Sequence, residues 1–126
     1  MEGEKIMRSG FRFELYDMVF NNCFIHSSNY KNGNLQLSLF GTDPKTNETA
    51  HFADITLDQN SKVLKDDEVV VDFMYKPNFI EQLEKIGILK EKVGACPFKS
   101  ALYPIYKIDL KRRKAVEYQI TELIAA

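Results

Sequence analysis

The side chains best suited to chemistry are few: Cys23, Cys96, His26 and His51. Cys23-x-x-His26 could offer two metal ligands if a loop gathered them. On a strand, however, positions three apart point to opposite faces, and tetrahedral sites usually bring tighter ligand pairs. The pair therefore reads as a buried thiol and a satisfied or exposed imidazole, and no metal is expected. A cysteine beside a histidine can also form a nucleophilic thiolate pair. Apart from Lys92 and Lys99, nothing near either cysteine suggests a reactive setting, and both read as small apolar residues. The six glycines are scattered, with neither a G-x-G-x-x-G nor a G-x-x-x-x-G-K-[ST] phosphate loop. No catalytic residue and no cofactor is assigned.

What remains is surface. Asp66, Asp67 and Glu68 form an acidic turn. It is either a solvated loop or a contact for a basic partner. Lys107, Lys111, Arg112, Arg113 and Lys114 place five cations within eight residues. With Tyr103 and Tyr106 they could form a nucleic-acid surface, in which cations meet phosphate and aromatics stack on bases. The alternative is a charged strand end that keeps a sheet edge soluble. The net charge of -1 favours the latter. Tyr103 and Tyr106 flank Pro104, which argues for an edge position or a bulge. Exposed tyrosines beside cations suit a protein interface, whereas the alternative reading of Tyr-Pro is a structural corner.

These groups must be positioned by strands and a helix. Phe11, Phe13 and Leu15 alternate with polar residues and predict a strand. The apolar phase then slips to Tyr16, Met18 and Phe20, which a bulge or break near 15–17 would explain. Asn21-Asn22 reads as a turn, or as an interruption of one bent strand that resumes at Cys23. Asn32-Gly33 is a hairpin dipeptide suited to positive φ at both central positions. Leu35, Leu37 and Leu39 give a strand, and Ala53, Ile55 and Leu57 another, across a polar loop at 41–49. Together the runs from 22 to 58 predict an antiparallel meander. Val69, Val70, Val71 and Phe73 are apolar on both faces, as an interior or helix-covered strand would be.

One helix is expected after Pro77, with Asn78 and Glu81 as a capping box. Phe79, Ile80, Leu83 and Ile86 form its buried face, Glu81 and Lys85 an i,i+4 pair, and Gly87 its end. Residues 88–100 read as irregular and 102–110 as strand.

The chain has 126 residues, 44% apolar and 28% charged, which fits one globular domain over 1–126. Residues 1–10 are expected to be flexible and 111–126 to form a C-terminal extension, as a short helix or an added strand. Two cysteines are too few for a secreted disulfide scaffold. No signal-peptide pattern and no apolar run near the roughly 20 residues of a membrane span is present, so the cytoplasm is the expected location. The predicted fold is α+β: an antiparallel sheet of about five strands with one amphipathic helix packed on it.

From Asn32 to about Leu110 the order of signals resembles a family of small proteins of unassigned function. These are encoded on plasmids, conjugative elements and phage of low-GC Gram-positive and related bacteria. The resemblance is carried by Asn32-Gly33-Asn34-Leu35, by Phe52-Ala53-Asp54-Ile55-Thr56-Leu57, by Phe79-Ile80-Glu81 with Ile86-Gly87-Ile88, and by Tyr103-Pro104-Ile105-Tyr106. It covers about two-thirds of the chain, departing at the 58–66 loop and beyond Lys111. It brings no catalytic residues. It implies a mobile-element gene, and such small proteins often block a host defence effector, CRISPR nucleases being the best-known target. The expected function is thus a non-catalytic, anti-CRISPR-like inhibitor that binds an effector protein stoichiometrically through Asp66, Asp67, Glu68, Tyr103 and Tyr106. The alternative is a nucleic-acid-binding accessory protein of plasmid maintenance or transfer. An edge strand could also pair two copies.

Overall fold

In the computed structural model, residues 10–60 and 62–111 are described. The start 1–9, expected to be flexible, and residues 112–126 of the expected C-terminal extension lie outside the described residues. The chain is α+β, with seven antiparallel strands in two sheets and one helix among the described residues. The first sheet has the order β1-β2-β3-β4, from Phe11–Leu15, Met18–Asn29, Leu35–Thr42 and Thr49–Asp54. The second has the order β5-β7-β6, from Glu68–Val70, Ala101–Ile108 and Leu89–Phe98. The helix, α1, is Phe79–Lys85. No helix among the described residues is long and apolar enough to cross a membrane.

The expected meander is present as β2, β3 and β4. The phase slip after Leu15 has a different origin from a bulge. Tyr16 and Asp17 both have positive φ, 52° and 63°, and Leu15 pairs with Met18. This is a two-residue hairpin, so the faces swap because the chain reverses. Asn22, at φ 58°, marks an irregularity within one continuous β2 rather than a turn, in line with the bent-strand alternative. At the next hairpin only Gly33 of the Asn-Gly pair has positive φ, 91°. Tyr30 O accepts Gly33 N–H at 2.9 Å and Tyr30 N–H reaches Asn34 O at 2.9 Å. The loop therefore has three residues and needs left-handed backbone only at its glycine.

One strand was not legible as such, and another was legible but misplaced. Residues 89–98, expected to be irregular, form β6. Gly94 sits where the register shifts, and Pro97 stands opposite Leu102, so these punctuating residues bend the strand without ending it. β7 is the centre of its sheet, whereas Pro104 had suggested an edge. One residue beyond the Val70↔Ile105 pair, Val71 N–H donates to Pro104 O at 3.0 Å. Pro104 thus lacks its donor only at the last rung, where β5 ends.

The helix begins without the predicted capping box. Asn78 is left-handed, at φ 57°, and makes no side-chain cap. A left-handed residue cannot hold the extended backbone from which an N-cap side chain reaches the first turn. Gly87 does end the helix. Its N–H reaches Glu84 O at 3.0 Å and Ile88 N–H reaches Leu83 O at 3.1 Å, the paired bonds of a Schellman stop. Phe79 and Leu83 are buried, with Ile80 and Ile86 packed against the same core.

Two clamps complete the frame. Gln82 of α1 lies beside β1: Glu14 N–H donates to its Oε1 at 2.8 Å, and its Nε2 donates to Glu14 O at 2.8 Å. A carboxamide carries the same donor and acceptor as a peptide group, so it completes a rung on the outer edge of β1. The second clamp holds the 58–66 loop. Buried Asn34 donates from Nδ2 to Lys62 O at 2.9 Å and accepts Leu64 N–H on Oδ1 at 2.9 Å. Gln59, also buried, brackets Lys62 through both its amide atoms.

Asn34→Ala is expected to cost about 1–3 kcal/mol, since it strands Leu64 N–H and leaves Lys62 O with Gln59 as its side-chain donor; urea unfolding measures this, and a loss under about 0.5 kcal/mol would mean the loop re-satisfies itself. Gln82→Ala is expected to cost about 1 kcal/mol and to raise self-association through the opened β1 edge, read by sedimentation as a concentration-dependent larger species.

Candidate protein-docking groove

Each candidate residue among those described takes a definite place. Tyr103 and Tyr106, expected at an exposed edge, are 9% and 8% exposed. The cause is the central position of β7, which is covered on both faces. Tyr103 belongs to a second core with Val70, Cys96 and Ile105, its ring edge-on to Phe73 and Phe98. Tyr106 points the other way, into the main core, and its hydroxyl donates to Glu84 Oε2 at 3.1 Å. The two tyrosines therefore do not form one surface.

The acidic turn is partly consumed by its own backbone. Glu68 opens β5, and its Oε1 accepts Lys65 N–H at 3.2 Å. Asp67 lies 4.0 Å from Lys107, so these two residues from rival surfaces neutralise one another. Asp66 is exposed. Of the basic run, Lys111 is exposed, while Arg112, Arg113 and Lys114 lie outside the described residues.

The reactive side chains are separated. Cys23 is in the main core against Gly41, where a Cβ on the glycine would meet its Sγ at 3.0 Å. Burial pushes its thiol up to about 12. His26 instead packs edge-on to Phe40, as does His51, with ring centroids 5.9 and 5.2 Å apart. His51 Nε2 and Ser38 Oγ both bond Asp54 Oδ1, at 3.0 and 3.4 Å. In this order the carboxylate sits between hydroxyl and imidazole, so the imidazole is not the base of the serine. Among the described residues no three His, Cys, Asp or Glu side chains gather to hold a metal.

The feature that residue spacing did not reveal is a groove of about 480 Å³ between α1 and the chain that leads into it. Its apolar lining is Phe73, Phe79 and Ile80, with Tyr106 alongside, and Glu81 and Glu84 border it. Lys76 also lines it, but its charge is already engaged. Its Nζ is 3.3 Å from Asp72 Oδ2, donates to Asp72 O at 2.7 Å and Asp54 O at 3.1 Å, and lies 5.1 Å from the Phe79 ring centroid. Glu81 and Glu84 are one turn apart on the same helix face. The expected Glu81–Lys85 ion pair is absent among the described residues; Lys85 lines a separate groove beside Arg12 and Glu14. The Tyr106 hydroxyl feels both carboxylates: its pKa is raised by burial first, then by the bond to Glu84 and the charges of Glu84 and Glu81.

One residue before Lys76 of the groove stands Tyr75, 88% exposed and left-handed at φ 62°. Lys76, the following residue, ties its loop to two backbone carbonyls, so a large aromatic is displayed on an anchored turn. An apolar hollow, an acidic border and a presented tyrosine are features of a protein-contact surface. Comparison with protein-family models, with curated proteins and with solved structures gives no match to this chain.

The buried thiol and phenols generate a pH dependence. Cys23, Tyr30 and Tyr106 all hold their protons to higher pH when folded, chiefly because burial penalises the anion. Their stabilisation is therefore complete below the unfolded values and is lost as pH rises through the folded ones. For Cys23 that window runs from 9.0 to about 12. Urea unfolding across this range should show a steady alkaline decline in stability, and Cys23→Ala should make it shallower, leaving the part due to Tyr30 and Tyr106.

Proposed function

We propose that this chain is a non-catalytic binding protein that disables a bacterial defence effector by stoichiometric capture, in the manner of an anti-CRISPR inhibitor. The observation that carries the binding part is the groove beside α1, with its apolar lining and two carboxylates unneutralised by Lys85. Tyr75, exposed one residue before Lys76 of the lining, is the second contact of this reading. The defence target and the mobile-element origin rest on the resemblance running from Asn32 to Leu110. A partner that binds here would act by occlusion, since a groove edge and an aromatic anchor supply contact area rather than bond-making groups.

The test is escape from interference. Cells carrying a DNA-targeting CRISPR nuclease receive a targeted plasmid, with and without this protein. Transformation is expected to rise by at least tenfold with it. With purified nuclease, inhibition should saturate at a small whole-number ratio of the two proteins. Tyr75→Ala together with Glu81→Arg should weaken inhibition at least tenfold, equivalent to about 1.4 kcal/mol of binding. Inhibition that continues far below equimolar amounts would reject capture in favour of turnover. No escape across several nuclease types would reject the target class.

A further inference from the structure

We infer that the groove between α1 and Tyr106 receives a basic side chain, an arginine or lysine carried beside an apolar residue on a protein partner. The inference deepens the binding role proposed above and rests on it.

The argument begins with charge. Among the groove residues, Lys76 is matched by Asp72, so the two carboxylates of Glu81 and Glu84 set the local field. Tyr106 cannot neutralise them, because it only donates a hydrogen bond to Glu84. Its hydroxyl is made less acidic by both carboxylates, which places that oxygen within the field of each. A cation entering between them would be attracted by two charges at once, in a hollow whose apolar side chains lower the effective dielectric.

The lining adds a preference for shape. Phe73, Phe79, Ile80 and Tyr106 give aromatic and aliphatic surface at the same place. A long basic side chain lays its methylenes along such surface and keeps its charged head at the polar border. The protein already uses this chemistry internally, with Lys76 Nζ 5.1 Å from the Phe79 ring centroid. A guanidinium suits the site better than an ammonium. Its planar fork can bond both carboxylates and stack on a ring.

The probe is the blocked dipeptide acetyl-leucyl-arginine amide, titrated into the isotope-labelled full chain and followed by NMR. Its counterpart carries citrulline, which keeps the shape and removes the charge. The arginine peptide is expected to shift the amide signals of Ile80, Glu81, Glu84 and Tyr106, saturating in the millimolar range. Citrulline is expected to bind at least tenfold more weakly, and Glu81→Gln/Glu84→Gln to weaken the arginine peptide by the same factor. Both glutamates are exposed on the helix, so the variant keeps the fold, which signal dispersion verifies. Absence of shifts at this groove, equal binding of citrulline, or undiminished binding by the double variant would each overturn the inference. The two proposals also separate. Arginine binding without any escape from interference leaves the groove standing and removes the defence role. Inhibition undiminished by Glu81→Gln/Glu84→Gln does the reverse.

Discussion

Three residues of backbone, Ile55–Leu57, make one body of two sheets. Ile55 N–H donates to Leu37 O at 2.9 Å, toward the first sheet. Leu57 N–H donates to Val70 O at 2.9 Å and Asp72 N–H to Ile55 O at 2.8 Å, toward the second. Between them Thr56 substitutes its hydroxyl for a backbone acceptor, taking Leu37 N–H at 3.1 Å and meeting the Tyr30 hydroxyl at 2.9 Å. Thr56 is buried, so each of these groups would be costly to leave unpaired. The segment also sets where β5 runs. The loop carrying Phe73, Tyr75 and Lys76, and then α1, follow directly from it.

That placement explains why β5 and β7 are apolar on both faces. Val69 and Val71 enter the main core, while Val70 enters a second one with Cys96, Tyr103 and Ile105. A strand buried twice cannot offer its aromatics to a partner. Tyr103 and Tyr106 are therefore divided between two cores, and only the hydroxyl of Tyr106 is drawn toward the surface by Glu84. What covers the sheet is a seven-residue helix and the turn before it. A helix of two turns has little stability of its own. It is held by Phe79 and Leu83 in the core, by the Schellman stop at Gly87, and by Gln82 against β1.

What could be read from the sequence was local. Alternating leucines fixed β3, the Asn32-Gly33 turn fixed its start, and the apolar spacing of Phe79, Leu83 and Ile86 fixed the helix face. Elements defined by residues working against their preferences were hidden. Tyr16 and Asp17 turn a hairpin with left-handed backbone that glycine or asparagine adopts more easily. β6 contains Gly94 and Pro97, which ordinarily signal a break. The site was hidden for another reason. Gln82 and Glu14 are 68 residues apart, and the groove joins Tyr106 to a helix 22 residues earlier. No spacing rule covers such pairs; they depend on sheet order, and Pro104 pointed to the wrong order. The acidic turn was visible because it is contiguous, yet Asp67 and Glu68 largely serve the fold.

The charge pattern of α1 then carries an argument about selection between stability and binding. Like charges one helical turn apart cost about 0.2–0.5 kcal/mol, roughly what a favourable Glu–Lys pair returns. Lys85 lies at the right spacing to offset Glu81, but it lines the opposite groove beside Glu14 instead. The helix thus keeps two exposed carboxylates together without the available compensation, beside the apolar lining of the groove. Each carboxylate has a local role, Glu81 in the first helical turn and Glu84 as acceptor of the Tyr106 hydroxyl, but neither role relieves the repulsion between them. A cationic partner does, because the repulsion that weakens the free helix becomes attraction shared between both carboxylates when the groove is filled.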